Sequence, residues 1–173
     1  MSNKILTTRF GRKLGLGLDG NLIVNGKESN QSGLTTVVTV TSAQMLALNA
    51  TPVVIVPAAG AGLAIIPRMV AMRHAGGTAY GGIAAGEDLV LKYTNGSGAQ
   101  CSGVVETTGF LDQTTAQVRV VGPPGSTGAT AGDYAPVANA AVVLHLLVGE
   151  ITTGNFPLIV KVWYGVINTA FTL

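Results

Sequence analysis

Apolar residues in this chain come in short, largely β-branched runs, and turn residues close each run within a few positions. The main runs are LTTVVTV (34–40), VVIV (53–56), LAIIPRMVAMR (63–73), LVLKYT (89–94), GVVETT (103–108), AQVRVV (116–121), AAVVLHLLVGE (140–150) and PLIVKVWYGVI (157–167). Val, Ile and Thr are stiff at χ1, which disfavours helices and suits a pleated surface. Glycine, proline, asparagine and aspartate between the runs supply turns. One helical stretch stands out: Thr41 and Gln44 have the spacing of a capping box, and Ala43 to Leu48 extend it to about two turns before Asn49 and Pro52 stop it. Helices do not alternate with the strands, which excludes a parallel βαβ sheet. The expected fold is all-β: an antiparallel β-sandwich, jelly-roll-like, with one short helix and an extended N-terminal arm. Within it, Pro67 marks its strand as an edge or bulged one. In the last strand Val160, Val162, Tyr164 and Val166 share one face, and Ile159, Lys161, Trp163 and Gly165 the other.

Charge separates the arm from the body. Residues 1–34 hold Lys4, Arg9, Arg12, Lys13 and Lys27 against Asp19 and Glu28, a net +3; the remainder nets −1, and the chain +2. The expected domains are an extended, basic, glycine-rich arm at 1–33 and a sandwich at 34–173; in the arm the apolar piece Leu22–Val24 lies between the turn signals Asp19-Gly20 and Asn25-Gly26, which suits one small hairpin. Only 10% of the 173 residues are charged, whereas about 25% is usual. An isolated domain normally covers itself with Lys and Glu. This chain is expected to have its surface covered by neighbours; the alternative is a surface of Thr, Ser, Asn and Gln.

Motifs for chemistry fail on context. GLGLDG (Gly15, Gly17, Gly20) has dinucleotide-turn spacing, but no buried strand precedes it, no helix follows, and residues 29–67 carry no acid. Gly20 to Gly26-Lys27 has one residue too many for a phosphate loop, and Glu28 stands where the Ser/Thr should be. His74, His145 and Cys101 are scattered, and one cysteine precludes an internal disulfide. His145 is expected to face out or to sit hydrogen-bonded in the core, and His74, beside a Gly-Gly loop, to be exposed. Glu87 and Asp88 are expected as solvated neighbours in a turn. Gly96-Ser97-Gly98 is not a nucleophile elbow. No catalytic, cofactor or metal site is expected, and the chain is not expected to be an enzyme.

Residues 29–67 are uncharged but interrupted by Pro52 and Pro57, so no membrane span is expected, and neither is a secretory signal. GPPGSTGATAGD (122–133) loses its glycine-led triplet frame after Gly128 and reads as a loop, not a collagen segment. The one basic–aromatic cluster is Arg9, Phe10, Arg12 and Lys13. Four basic residues give only a modest phosphate attraction. The preferred reading is an arm crossing a neighbouring protein, without direct nucleic-acid contact. The glycine-rich loops at 75–86 and 122–133 are second-choice contacts, with plain solvent-exposed turns as the alternative.

Four longer stretches carry a resemblance: LALNATPVVIVPAAGAGLAIIPRMVAM (46–72), TAYGGIAAGEDLVLKYTNGSG (78–98), VETTGFLDQTTAQVRVV (105–121) and APVANAAVVLHLLVGEITTGNFPLIVKVWYGVI (135–167). Together they resemble a family of small structural proteins from the head-assembly region of tailed bacteriophages and prophages. The resemblance spans most of 40–167 and leaves out the arm. It implies a virion structural protein, such as a capsid decoration (cement) protein binding the major capsid protein lattice. It also implies a place on the capsid surface after synthesis in the bacterial cytoplasm. Self-association is expected, as a homotrimer, because capsid lattices offer local three-fold positions. No cofactor and no small-molecule substrate are expected. The rival readings are a tail, head–tail joining or head-fibre-base component, and a carbohydrate-binding β-sandwich. The last would draw on Trp163, Tyr80, Tyr93, Tyr134 and Tyr164, although Trp163 and Tyr164 point to opposite faces.

Overall fold

A computed structural model of the chain describes residues 5–7, 13–16, 22–24, 27–28, 33–124 and 135–170; for those before 33 it describes the backbone alone. The chain divides into two units, Met1–Gly33 and Leu34–Leu173.

The first unit contains β1 (Ile5–Thr7), β2 (Lys13–Leu16), β3 (Leu22–Val24) and β4 (Lys27–Glu28), paired in that order as an antiparallel meander. β3 and β4 pair with Val24 opposite Lys27 and Ile23 opposite Glu28; the Asn25-Gly26 turn signal between them lies outside the described residues. The rest of the arm is not simply extended: β2 pairs with β3, and β1 with β2. Ile5-Leu6 and Leu14-Gly15-Leu16 are strand-compatible pieces that the surrounding glycines and cations obscure in sequence.

The second unit runs β5 (Leu34–Val40), α1 (Ser42–Met45), β6 (Val53–Val56), β7 (Leu63–Gly76), β8 (Leu89–Tyr93), β9 (Thr115–Val121), β10 (Val142–Leu146) and β11 (Leu158–Asn168). These strands form two antiparallel sheets, ordered β5-β11-β7-β9 and β6-β10-β8. One core joins them. Val40, Val70, Met72, Val160 and Val162 enter it from the four-stranded sheet, and Ile55, Leu91, Tyr93, Val142 and Leu144 from the three-stranded one. The protein is thus all-β with almost no helix, compatible with a sandwich. Each such side chain contributes roughly 1.5–3 kcal/mol on full burial.

The capping box of α1 is complete. The Thr41 Oγ1 accepts from the Gln44 N–H at 3.2 Å, and the Gln44 Oε1 accepts from the Thr41 N–H at 2.9 Å. The helix stops after one turn rather than two. The Glu150 carboxylate takes the Asn49 and Ala50 N–H groups at 3.1 and 2.8 Å, and the Asn49 side chain donates to the Leu146 carbonyl at 2.8 Å. Tertiary partners thus draw the chain off its helical path.

Pro67 behaves as its chemistry requires. Along β11 the partners of β7 step from Met69 to Pro67, leaving Arg68 as the extra residue of a bulge. Inward-facing positions switch there from Ile65 and Pro67 to Val70, Met72 and His74. β9 pairs with β7 only from Val70 onwards, so Pro67 lies where β7 has a single ladder neighbour and its missing N–H is tolerated.

The strand expected over GVVETT is reduced to isolated bridges, Lys92 with Gln100 and Leu89 with Val105. The cause is Ser102, whose Oγ accepts the Leu91 N–H at 2.8 Å in place of a backbone carbonyl and donates to the Gly103 carbonyl.

Candidate interaction surface

The register of the four-stranded sheet fixes what its outer face presents. Thr39, Ile159, Arg73 and Val118 form one row across the strands; Val37, Lys161, Ala71 and Val120 form the next; Thr35, Trp163 and Met69 follow. Val37, Val118 and Val120 are 59%, 57% and 58% exposed, and Met69 is also exposed. The Lys161 Nζ lies 4.5 Å from the Trp163 ring centroid, so its stem covers the indole while its charge stays at the surface. A depression of about 330 Å³, lined by Arg73, Ala75, Ala116 and Val118 among others, opens between β7 and β9.

Charge is segregated around this sheet. Its four strands carry Arg68, Arg73, Arg119 and Lys161 and no carboxylate. The described carboxylates of the second unit (Glu87, Asp88, Glu106, Asp112 and Glu150) all lie in connections. Arg119 is used internally: its guanidinium donates to the carbonyls of Gly109 and Val118 and lies 5.2 Å from the Phe110 ring centre. Arg68, Arg73 and Lys161 make no such hydrogen bond among the described residues.

The chemistry-bearing residues singled out in the sequence are spent on structure. His74 is only 1% exposed, contrary to expectation. Its ring stacks on Phe156 at 4.0 Å and tilts against Phe110 at 5.2 Å. The Gly76 N–H donates to Nδ1 at 3.2 Å, so the proton sits on Nε2, which donates to the Phe110 carbonyl at 2.9 Å. Desolvation, with Arg119 as a smaller contributor, outweighs that hydrogen bond and holds the His74 pKa below its ordinary value. The sequence reading missed this because β7 runs three residues past Arg73 and alternation then turns His74 inward.

His145 is buried in β10, but on the side turned away from the core that Val142, Leu144 and Leu146 enter, and its Nδ1 has no hydrogen-bond partner. Burial first, then Lys92, lowers its pKa. The NGSG turn lies over it, since a Cβ on Gly96 would come within 2.6 Å of the His145 Nε2. Glu87 is buried rather than solvated; its Oε2 closes a turn on the Ala84 N–H at 2.6 Å, and its carbonyl accepts from the Thr107 hydroxyl. The Cys101 thiol is buried and its pKa pushed up to about 12 by desolvation, which removes thiolate reactivity. Among the described residues no group of three His, Cys, Asp or Glu could hold a metal ion. No helix among them is long and apolar enough to cross a membrane.

Arg9, Phe10 and Arg12 lie outside the described residues. Lys13 opens β2, but its side chain is likewise outside them, so the arm cluster has no described geometry. Of the loop at 122–133, positions 125–133 lie outside as well. The loop at 75–86 is tied down. The Gly77 and Tyr80 N–H groups donate to the carbonyls of Thr114 and Leu111, Gly81 pairs with Thr152, and the Tyr80 hydroxyl donates to the Phe156 carbonyl at 2.6 Å. Of the aromatics available for sugar stacking, Tyr80 and Tyr93 are buried, Tyr164 packs against the core and Tyr134 is outside the described residues. Comparison with protein-family models, with curated proteins and with solved structures finds no match to this chain.

Proposed function

We propose that this chain is a non-catalytic structural protein of a tailed-phage virion, a decoration protein that binds the major capsid protein lattice and stabilises it. The observation that carries this reading is the outer face of the four-stranded sheet. It is an exposed apolar surface bearing Arg68, Arg73 and Lys161, on strands with no carboxylate. Such a face suits an apolar, acidic protein surface: burial of valine, methionine and indole supplies affinity, and the cations set orientation and on-rate. The resemblance to phage head-region proteins names the class of partner. Summed over a lattice, modest contacts of this kind resist the outward pressure of packaged DNA. The arm cluster Arg9, Phe10, Arg12 and Lys13 reaches a neighbouring subunit in this reading.

The jelly-roll assignment belongs to the same proposal. From β5 to β8 successive strands alternate between the two sheets, as do β9, β10 and β11. The segment bridged to β8 at Gln100 and Val105 takes the place of the missing eighth strand beside it. That succession supports two interlocked Greek keys.

Electron cryo-microscopy of the particle tests the proposal. Density for this chain at the seams of the capsid lattice is the expected result. Density confined to the tail vertex or tail would overturn it in favour of a joining or tail component.

A further inference from the structure

Four strands lie at the margins of the two sheets, and two of them are blunted. β6 is four residues long and flanked by Pro52 and Pro57. β8 is covered by the segment after it: the Tyr93 N–H donates to the Ala99 carbonyl at 2.9 Å, the Cys101 N–H to the Leu91 carbonyl at 2.8 Å, and Leu89 and Val105 exchange both bonds. Proteins blunt edges in these ways because an open row of N–H and C=O groups recruits another strand.

β5 and β9 lack such protection. Both are seven residues long, with no proline in either. β5 (LTTVVTV) has no charge, and the single charge of β9, Arg119, is turned to the Gly109 carbonyl and the Phe110 ring. Among the described residues β5 pairs only with β11, and β9 only with β7. The two edges are also complementary. Each neighbouring pair in the β5-β11-β7-β9 order is antiparallel, so β5 and β9 run in opposite directions. A second copy set beside the first, with the same face outward, therefore brings its β5 antiparallel to the first copy's β9. Among the described residues the three most exposed large apolar ones are Val37 on β5 and Val118 and Val120 on β9, all on that face. Pairing the edges would set these valines side by side as cross-strand neighbours.

We propose that copies of this chain associate head to tail through the four-stranded sheet, β9 of one copy pairing with β5 of the next. The contact is heterologous, so it closes into a ring or continues as a filament. It involves only the chain itself and stands or falls apart from the capsid reading.

The test uses the purified full chain and its mass in solution by sedimentation velocity at micromolar concentration. Wild type is expected as an oligomer. Val37→Lys and Val120→Lys, at positions more than half exposed, each place a charge on one edge. Each is expected to be a folded monomer with unchanged circular dichroism. Val54→Lys, on the blunted β6, is expected to keep the wild-type mass. The deciding sample is an equimolar mixture of Val37→Lys and Val120→Lys. The first keeps an intact β9 and the second an intact β5, so the mixture is expected to give a dimer of one of each and nothing larger. A monomeric wild type, a mixture that stays monomeric, or dissociation by only one of the two variants would overturn the proposal. The last result would indicate a two-fold contact between like edges. An oligomer that forms as stated yet does not bind capsids would contradict the proposed function and leave this inference intact.

Discussion

The two sheets of the second unit treat their outer faces in opposite ways. In the four-stranded sheet, β5 and β9 alternate between more and less buried positions, and the outer positions stay open. In the three-stranded sheet, all five residues of β10 are buried, as are four of the five in β8. The sequences carry the difference. LTTVVTV interleaves threonine with valine, as half-exposed strands do, whereas VVLHL is a continuous run of the kind found in strands covered on both sides. The chain itself covers His145, the outward-facing residue of β10, with the NGSG turn, as Gly96 shows. It covers no such residue at Val37, Val118 or Val120. A low overall charge thus has two meanings in one molecule: self-coverage on one sheet and an uncovered face on the other.

Substitution at matched apolar sites on the two sheets gives the largest expected contrast. Leu144→Ala, in the fully buried central strand, is expected to cost about 2–5 kcal/mol by chemical denaturation. Val118→Ala, on the open face, is expected to change stability by less than about 0.5 kcal/mol. Comparable losses at both sites would mean that the open face is covered within the chain.

A second contrast concerns the turn that shields the three-stranded sheet. A Cβ on Gly98 would fall 1.6 Å from the Tyr93 carbonyl oxygen, so Gly98→Ala forces the turn open. We expect a cost of at least about 1 kcal/mol, with backbone rearrangement as the source. His145 should become reactive to diethyl pyrocarbonate in this variant; a wild-type rate of modification would show that the turn does not protect it.

The histidines give a smaller, pH-dependent effect. Both have folded pKa values below their ordinary 6.5, chiefly through desolvation. As pH falls below about 6.5 the unfolded chain takes up protons that the folded chain resists. Unfolding is then favoured, so stability declines from neutral pH toward the folded-state pKa values. His74→Gln is expected to lower stability at pH 7.5 and to shrink the drop between pH 7.5 and 5.5, read as the shift in thermal midpoint. An undiminished drop would assign the acid sensitivity to other groups.

Much of this architecture is legible in sequence. LTTVVTV, VVIV, LVLKYT and AQVRVV announce their strands through β-branching and turn residues, the Thr41–Gln44 spacing announces the helix cap, and Pro67 announces an edge or a bulge, of which the structure has the bulge. What is hidden depends on tertiary partners. Ser102 interrupts a ladder with its hydroxyl, and Glu150 ends the helix from a hundred residues away. The candidate surface is the least legible part. Alternation in LTTVVTV puts apolar residues on both faces, so it cannot say which is outside. The segregation of Arg68, Arg73 and Lys161 from the described carboxylates of the second unit appears only once β5, β11, β7 and β9 are known to be neighbours.

The central claim is that the open sheet face, rather than the self-covered one, engages the capsid. Binding of the purified chain to capsids lacking it, compared with the double variant Arg73→Glu/Lys161→Glu, tests this most directly. The account predicts that the double variant keeps the wild-type fold and thermal midpoint and loses affinity by at least about tenfold, as reversal of a complementary interface requires. Wild-type affinity in that variant would contradict it.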